Sequence, residues 1–233
     1  MNIVEFNDKL KSLDLIERLK LISKQYNGNV VFTTSFGIED QVLTDVIFEN
    51  NIDIKVVSLD TGRLFEETYK VFNATRDKYK KEIKVYYPDA SSVEKLLSTK
   101  GPYSFYASVE NRHECCNIRK VEPLTRALKG FDCWLTGIRS EQSNGRTNME
   151  LVENDEGYGL VKVNPLLEWT LEEVMSYLNT KCVPYNSLHD KGFISIGCAP
   201  CTRAIKQGEN FRAGRWWWEA NSGKECGLHT HGK

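Results

Sequence analysis

The sequence carries almost no excess charge of either sign. In 233 residues, 31 Lys and Arg stand against 32 Asp and Glu, a formal net charge of −1. A global attraction to nucleic acid or to an anionic membrane is therefore not expected, and any anion site has to be built locally. No apolar run reaches the ~20 residues needed to span a bilayer. The N-terminal stretch lacks the apolar core of a signal peptide, so the expected setting is the cytoplasm. Internal repeats and low-complexity tracts are also missing, which argues against solenoid and array architectures. At 40% hydrophobic and 27% charged, the composition is that of an ordinary globular protein with one large α/β domain or two small ones.

Cysteine, by contrast, is well represented, with seven in the chain. In a cytoplasmic protein this points to metal or redox work rather than a disulfide framework, and the odd number leaves at least one free thiol. Cys115 and Cys116 are adjacent. Cys198 and Cys201 are two residues apart in Gly197-Cys198-Ala199-Pro200-Cys201. Four thiolates from two distant stretches can complete one tetrahedral set of soft ligands, suited to zinc or an iron–sulfur cluster. Such a clamp would lock the middle of the chain to its C-terminal part. Adjacent residues on a helix point ~100° apart, which favours gripping two metal atoms of one cluster over a single ion. Cys226 lies beyond the clamp, in Glu225-Cys226-Gly227-Leu228-His229.

Hydrophobic periodicity gives the architecture. A helix is predicted from Asp14 to Ser23, with Leu15, Leu19 and Ile22 on one face. Val30 to Thr34 reads as a buried parallel strand and runs into Ser35-Phe36-Gly37, with a helix from about Ile38 carrying Val42, Leu43, Val46 and Ile47. Strand, small-residue loop and helix together aim backbone N–H groups at an anion, although ordinary loops share the pattern. Lys55 to Leu59 is the next strand, closed by Asp60-Thr61-Gly62-Arg63, a polar turn where open α/β sheets bind ligands. Predicted elements then follow as a helix from Phe65 to Tyr79, a strand from Ile83 to Tyr87 and a helix from Ser91 to Ser98. The alternation implies an α/β fold, an open and mostly parallel sheet with helices on both faces.

Residues 100–114 lack a period and read as loop, and Cys115 then opens a helix towards Leu128. Arg119 and Lys120 on it suit either a bound anion or a solvated basic face. Cys133 to Thr136 is a fourth strand, followed at Gly137 by a loop holding Arg139 and Arg146, natural bidentate partners of phosphate or sulfate. Leu160 to Val163 is a fifth strand. Thr170 with Glu173 forms a capping box at the start of another helix. Cys133 and Cys182 read as buried small hydrophobes, and His189 as structural. After Cys201 the composition changes: glycines punctuate a stretch in which Arg212 and Arg215 precede Trp216-Trp217-Trp218. The expected division is therefore 1–205 as the α/β domain and 206–233 as a tail that folds over the site and lifts away.

The ordered set of motifs resembles the assimilatory adenylyl-sulfate reductases of the phosphoadenylyl-sulfate reductase family. It comprises Cys115-Cys116 with Arg119 to Leu124, Gly197 to Arg203, Arg212 to Trp218, and Lys224 to His229. Ser35-Phe36-Gly37 and Leu59-Asp60-Thr61-Gly62 fit as well, so the resemblance spans about residues 30–230. It implies an adenine-nucleotide α-hydrolase-like fold and reduction of adenosine 5′-phosphosulfate to sulfite and AMP with thioredoxin as reductant. It assigns a [4Fe–4S] cluster to Cys115, Cys116, Cys198 and Cys201, and the nucleophile to Cys226. It also places the substrate against Thr34, Ser35, Phe36, Gly37, Leu59, Asp60, Thr61, Lys120, Gly137, Arg139, Arg146, Arg212, Arg215 and His229. Branch members using the 3′-phosphorylated substrate commonly lack the cluster cysteines, so their presence here favours the substrate without that phosphate. Dual use stays open, as do a homo-oligomer and the identity of the thioredoxin-like donor.

One departure is Phe36, where some relatives carry Ser before the glycine. Hydroxyl contacts there must come from Thr34 or Ser35, or be replaced by backbone N–H groups. Two other readings compete. A tRNA-thiolation-type ATP pyrophosphatase would show Ser-Gly-Gly-x-Asp-Ser after the first strand, where this chain has Ser-Phe-Gly-Ile-Glu-Asp. A Cys₄ zinc module would more often use two spaced pairs.

Overall fold

The computed structural model describes residues 2–142 and 149–219. The helices and strands among them are α1 (Ile3–Lys11), α2 (Leu15–Gln25), β1 (Val30–Thr34), α3 (Ile38–Glu49), β2 (Lys55–Leu59), α4 (Glu66–Tyr79), β3 (Lys84–Tyr86), α5 (Ala90–Lys100), α6 (Val109–Cys116), α7 (Glu122–Leu128), β4 (Cys133–Leu135), β5 (Val152–Asp155), β6 (Leu160–Val163) and α8 (Leu171–Thr180). The strands form one sheet in the order β3-β2-β1-β4-β6-β5. All neighbours are parallel except β5, which runs antiparallel to β6. None of the described helices is long and apolar enough to cross a membrane.

Alternation along β1 divides the core. Val30 and Phe32 face one side, packed with residues of α1, α2, α3 and α8. Val31 faces the other, with Trp134 and with Leu124, Ala127 and Leu128 of α7. Each such side chain contributes ~1.5–3 kcal/mol on full burial, so covering both faces is what requires helices on both. On the side it leaves from, β1 turns to β2; on its other flank lies β4. That reversal of strand order opens a crevice at the C-terminal ends of β1 and β4.

α3 was expected to bury a stripe, yet every residue from Ile38 to Phe48 is buried. Its buried polar side chains make hydrogen bonds there, although Gln41 Oε1 accepts none among the described residues. Gln41 donates to Thr75 Oγ1 at 2.8 Å and to the Pro184 carbonyl at 2.7 Å. Asp45 accepts from Tyr79, Tyr177 and Lys78.

Several sequence expectations need correction. Residues 100–114 are not loop: a 3₁₀ turn at Ser104–Tyr106 leads into α6, capped by Ser108. Cys115 and Cys116 therefore end a helix rather than open one, and the chain continues through a π turn (Asn117–Val121) into α7. β5 was not foreseen; its Glu153 pairs across the hairpin with Lys162 at 3.0 Å, which supplies the stability its polar sequence hides. Cys133 is buried as expected, but Cys182 is exposed at a left-handed turn after α8. The expected boundary at residue 205 also falls inside a packed unit. Arg203 N donates to the Gly214 carbonyl, Trp216 is 1% exposed, and Glu219 is buried against Arg112.

Candidate active site

The loops at the C-terminal ends of β1, β2 and β4 enclose a cleft of about 240 Å³. Thr34 to Gly37, Leu59, Thr61, Lys120, Gly137, Arg212 and Arg215, all expected at the substrate, line it together. The loop after β1 is held from within. Ser35 donates both its N–H and its hydroxyl to Asp40 Oδ2, at 2.6 and 2.7 Å. Phe36 has φ +59°, donates its N–H to Thr34 Oγ1 at 3.0 Å, and stacks its buried ring on Phe72. Ser35 is thus occupied in shaping the loop, and Thr34 keeps a hydroxyl proton to offer a ligand. Burial raises the Asp40 carboxyl to about 6, against the pull of the Ser35 hydrogen bonds, with the Glu39 charge adding to the rise. Gly137 is required here, since a β-carbon on it would lie 2.2 Å from Asp40 Oδ1.

Two of the expected contacts sit elsewhere. Asp60 is not part of the cleft lining. Its Oδ1 accepts from Gly62 N at 2.7 Å and from the Tyr69 hydroxyl at 3.0 Å, fixing the turn after β2. Arg139 is 1% exposed and pairs with Glu39 and Glu141, each at 2.9 Å, so it buttresses the wall. Arg146, Cys226 and His229 lie outside the described residues.

Beside the cleft, Cys115, Cys116, Cys198 and Cys201 line one small cavity together with Arg63, Phe105, Arg112, Arg119 and Lys120. All four are free thiols. Among the described residues, no three Cys, His, Asp or Glu side chains converge to hold a single ion. The thiols instead ring a space. Desolvation raises the Cys115 thiol, opposed by Arg119 and Arg63. Desolvation also pushes Cys201 up to about 12, helped by Cys198 and Cys116 and opposed by Lys120 and Arg215. Cys115, Cys198 and Cys201 are buried and Cys116 half-buried, and Arg63, Arg112, Arg119 and Lys120 line the same cavity, so thiolates there would face compensating positive charge.

The two cavities are joined. Lys120 lines both. Thr61 lines the cleft, accepts from Cys198 Sγ at 3.3 Å, and receives Arg119 Nη1 on its carbonyl at 2.7 Å. The π turn inserts the extra residue that sets Arg119 and Lys120 at this junction. From the C-terminal side, Arg215 reaches the cleft across Gly197, where a β-carbon would lie 2.4 Å from its Nη2. Arg112, Arg212 and Arg215 crowd the Trp216 ring, at 4.5, 5.9 and 4.8 Å from its centroid.

Several residues escaped the sequence reading. Arg112 sits three positions before Cys115, on the same helical face, a spacing that could have revealed it. Arg63 stacks over Phe105 at 5.1 Å and donates to the Pro102 carbonyl. Glu39, Asp40 and His189 line the cleft. Nothing in the local pattern of His189 distinguishes it from a structural histidine.

A family model described as the phosphoadenosine phosphosulfate reductase domain matches residues 29–204. Among curated proteins, the chain is 49% identical over 224 residues to adenosine 5′-phosphosulfate reductase of Sinorhizobium fredii (strain USDA 257), covering 96% of this chain and 89% of that protein. It is 50% identical to the enzyme of the same name from Rhizobium meliloti (strain 1021), over 96% of this chain and 84% of that one. A crystal structure of phosphoadenylyl-sulfate reductase from Candida auris, in a phosphate complex, superposes with a TM-score of 0.74 at 28% identity, covering 87% of this chain and 96% of that chain. Candida glabrata FMN adenylyltransferase shares the fold at a TM-score of 0.53 and 15% identity, over 88% of this chain and 74% of that chain. A cleft and a thiol cavity joined through Thr61 and Lys120, inside a chain that matches one family from just before β1 to just after Cys201, place this protein in the phosphoadenosine phosphosulfate reductase domain family.

Proposed function

We propose that the protein is an oxidoreductase that reduces adenosine 5′-phosphosulfate to sulfite and AMP, using a thioredoxin-like dithiol as the electron source. The observation that carries this reading is the junction itself: a cleft at the ends of the parallel strands and a four-thiol cavity share Lys120 and meet at Thr61. The nucleoside lies across the ends of β1, β2 and β4, and the phosphosulfate extends towards Lys120, Arg212 and Arg215. These cations neutralise the oxygens that shield the sulfur from a nucleophile.

The Cys226 thiolate attacks the sulfur, forming an S–S bond while the S–O bond to phosphate breaks and AMP leaves with the bonding pair. A thiolate of the external dithiol then attacks Cys226 Sγ. Sulfite departs with the S–S electron pair, which is the reduction, and the donor's second thiol resolves the mixed disulfide. In this scheme Cys226, which lies outside the described residues, meets the substrate and the dithiol in turn.

Cys115, Cys116, Cys198 and Cys201 would hold a [4Fe–4S] cluster, one thiolate per iron, with Arg63, Arg112, Arg119 and Lys120 balancing its charge. When bound, it supplies a fixed electrostatic centre and ties the end of α6 to residues 198–201. The substrate without a 3′-phosphate is favoured because Glu39 and Asp40 both line the cleft, and a further phosphate would meet their charge. A cytoplasmic setting suits free thiols of this kind.

The test is a single turnover. Mixed with adenosine 5′-phosphosulfate and no dithiol, the protein releases about one AMP per chain, and peptide mass spectrometry finds the sulfonate on Cys226. Cys226→Ser binds substrate and releases no sulfite. Sulfonate on another cysteine, or sulfite from the serine variant, would overturn the mechanism.

A further inference from the structure

His189 lies on the cleft wall, in the segment between α8 and the Cys198 pair. Its Nε2 is fully enclosed and has no hydrogen-bond partner among the described residues. A buried polar atom left alone costs stability, and one that faces a ligand cleft is explained if the ligand satisfies it. The ring does not reach this position by drift. His189 N donates to the Asn186 carbonyl and Leu188 N to Asn186 Oδ1, both at 3.0 Å. Asn186 in turn is pinned to α4, donating to Thr68 Oγ1 at 3.1 Å.

The chemistry around the ring narrows what it meets. Burial acts most strongly on the ring and holds the imidazole below its usual range, towards the neutral form, against the charges of Glu39 and Asp190 and a hydrogen bond with the Phe193 backbone. A neutral imidazole beside a carboxylate is a poor phosphate site, and the cleft's cations lie instead at Lys120, Arg212 and Arg215. Glu39 spends Oε1 on Arg139 at 2.9 Å. Its Oε2 sits by the loop after β1, 3.9 Å from where a β-carbon on Gly37 would be. A carboxylate oxygen needs a donor, and where the nucleoside lies across the end of β1 the neighbouring donors of a nucleotide are the ribose hydroxyls. Carboxylate recognition of a ribose diol is a recurrent solution in open α/β sheets.

We propose that His189 contacts the nucleotide directly, its Nε2 hydrogen-bonding one ribose hydroxyl while Glu39 Oε2 takes the other. This rests on the adenine-nucleotide reading of the cleft and adds a specificity-determining residue to it. The turn at Asn186 is then the device that holds the reader in place.

The probes are AMP, 2′-deoxy-AMP, 3′-deoxy-AMP and IMP, titrated calorimetrically into the intact full-length protein and its variants. The wild type binds one of the two deoxy nucleotides about tenfold more weakly than AMP, the scale of one lost hydrogen bond. His189→Ala binds AMP about tenfold more weakly and no longer distinguishes it from that deoxy nucleotide. His189→Gln, which retains a donor and an acceptor, recovers part of the difference. A structural role would weaken all four ligands alike, so a His189→Ala protein with the wild-type discrimination would overturn the assignment. Loss of AMP against IMP discrimination instead would place the ring at the base and overturn the ribose assignment. A wild-type protein that binds none of the four would overturn the nucleotide reading and this inference with it.

Discussion

Replacing Asp40 with asparagine should change the pH dependence of stability in a direction that the burial of this carboxyl dictates. Asp40 is 8% exposed, and its carboxyl is raised from 3.8 to about 6, chiefly by desolvation. The folded protein therefore holds that proton more tightly than the unfolded chain does. Its favourable contribution is fully present below pH 3.8 and is lost as pH rises through about 6. The difference corresponds to about 3 kcal/mol between those limits, at ~1.4 kcal/mol per tenfold step. Asparagine carries no charge and keeps one oxygen for Ser35 N and Oγ. It gives up the interaction with Gly37 N, a loss of ~1 kcal/mol. The variant should be less stable than the wild type near about pH 3 and more stable near about pH 7.5, with the two curves crossing between. Paired urea denaturations across that range measure it, since the difference at each pH cancels groups common to both proteins. A difference that stays constant with pH would refute the reasoning.

The remaining predictions concern the thiol cavity and the anion site. Cys198→Ser should lose iron and sulfite production together, because one iron is left under-ligated; a variant with full iron and full activity would remove the cluster from the proposal. Lys120→Ala should weaken adenosine 5′-phosphosulfate and AMP by ~1.5–3 kcal/mol while iron content is unchanged, read by calorimetry and iron analysis. Glu219→Ala leaves the 3%-exposed Arg112 side chain without its 2.6 Å partner, and chemical denaturation should show a loss of ~3–5 kcal/mol. A loss of under ~1 kcal/mol would mean the pair behaves like a solvated surface bridge.

Much of the fold was readable from local pattern. The bounds of β1 and β2, the start of α3 and the Thr170–Glu173 capping box follow from runs and spacings within a few residues, and the structure reproduces them. β5 was not readable, because its Glu153 is stabilised by Lys162 on the next strand rather than by its own alternation. α6 was hidden for a related reason: its buried face is Arg112 and Cys115, residues whose burial depends on Glu219 and on the distant cysteine pair.

The site divides along the same line. By itself, the sequence determined the chemistry available: four thiols in two pairs, a fifth in a glycine-flanked tail, and basic residues in loops after parallel strands. Those follow from residue type and order, which tertiary packing does not alter. Only the tertiary structure decided which of these groups line the cleft. Lys120 and Arg139 look alike in sequence, yet Lys120 stands between the cleft and the thiol cavity while Arg139 is taken up by Glu39, a hundred residues away. His189 reads as structural in sequence because the enclosure of its Nε2, and the Glu39 charge that acts on it, arise only when the segment before Cys198 is laid against the start of α3. Spacing along a chain fixes which side chains share a face. Which charge finds which counter-charge is fixed by contacts between elements far apart in the chain, and a buried polar group takes its meaning from those contacts.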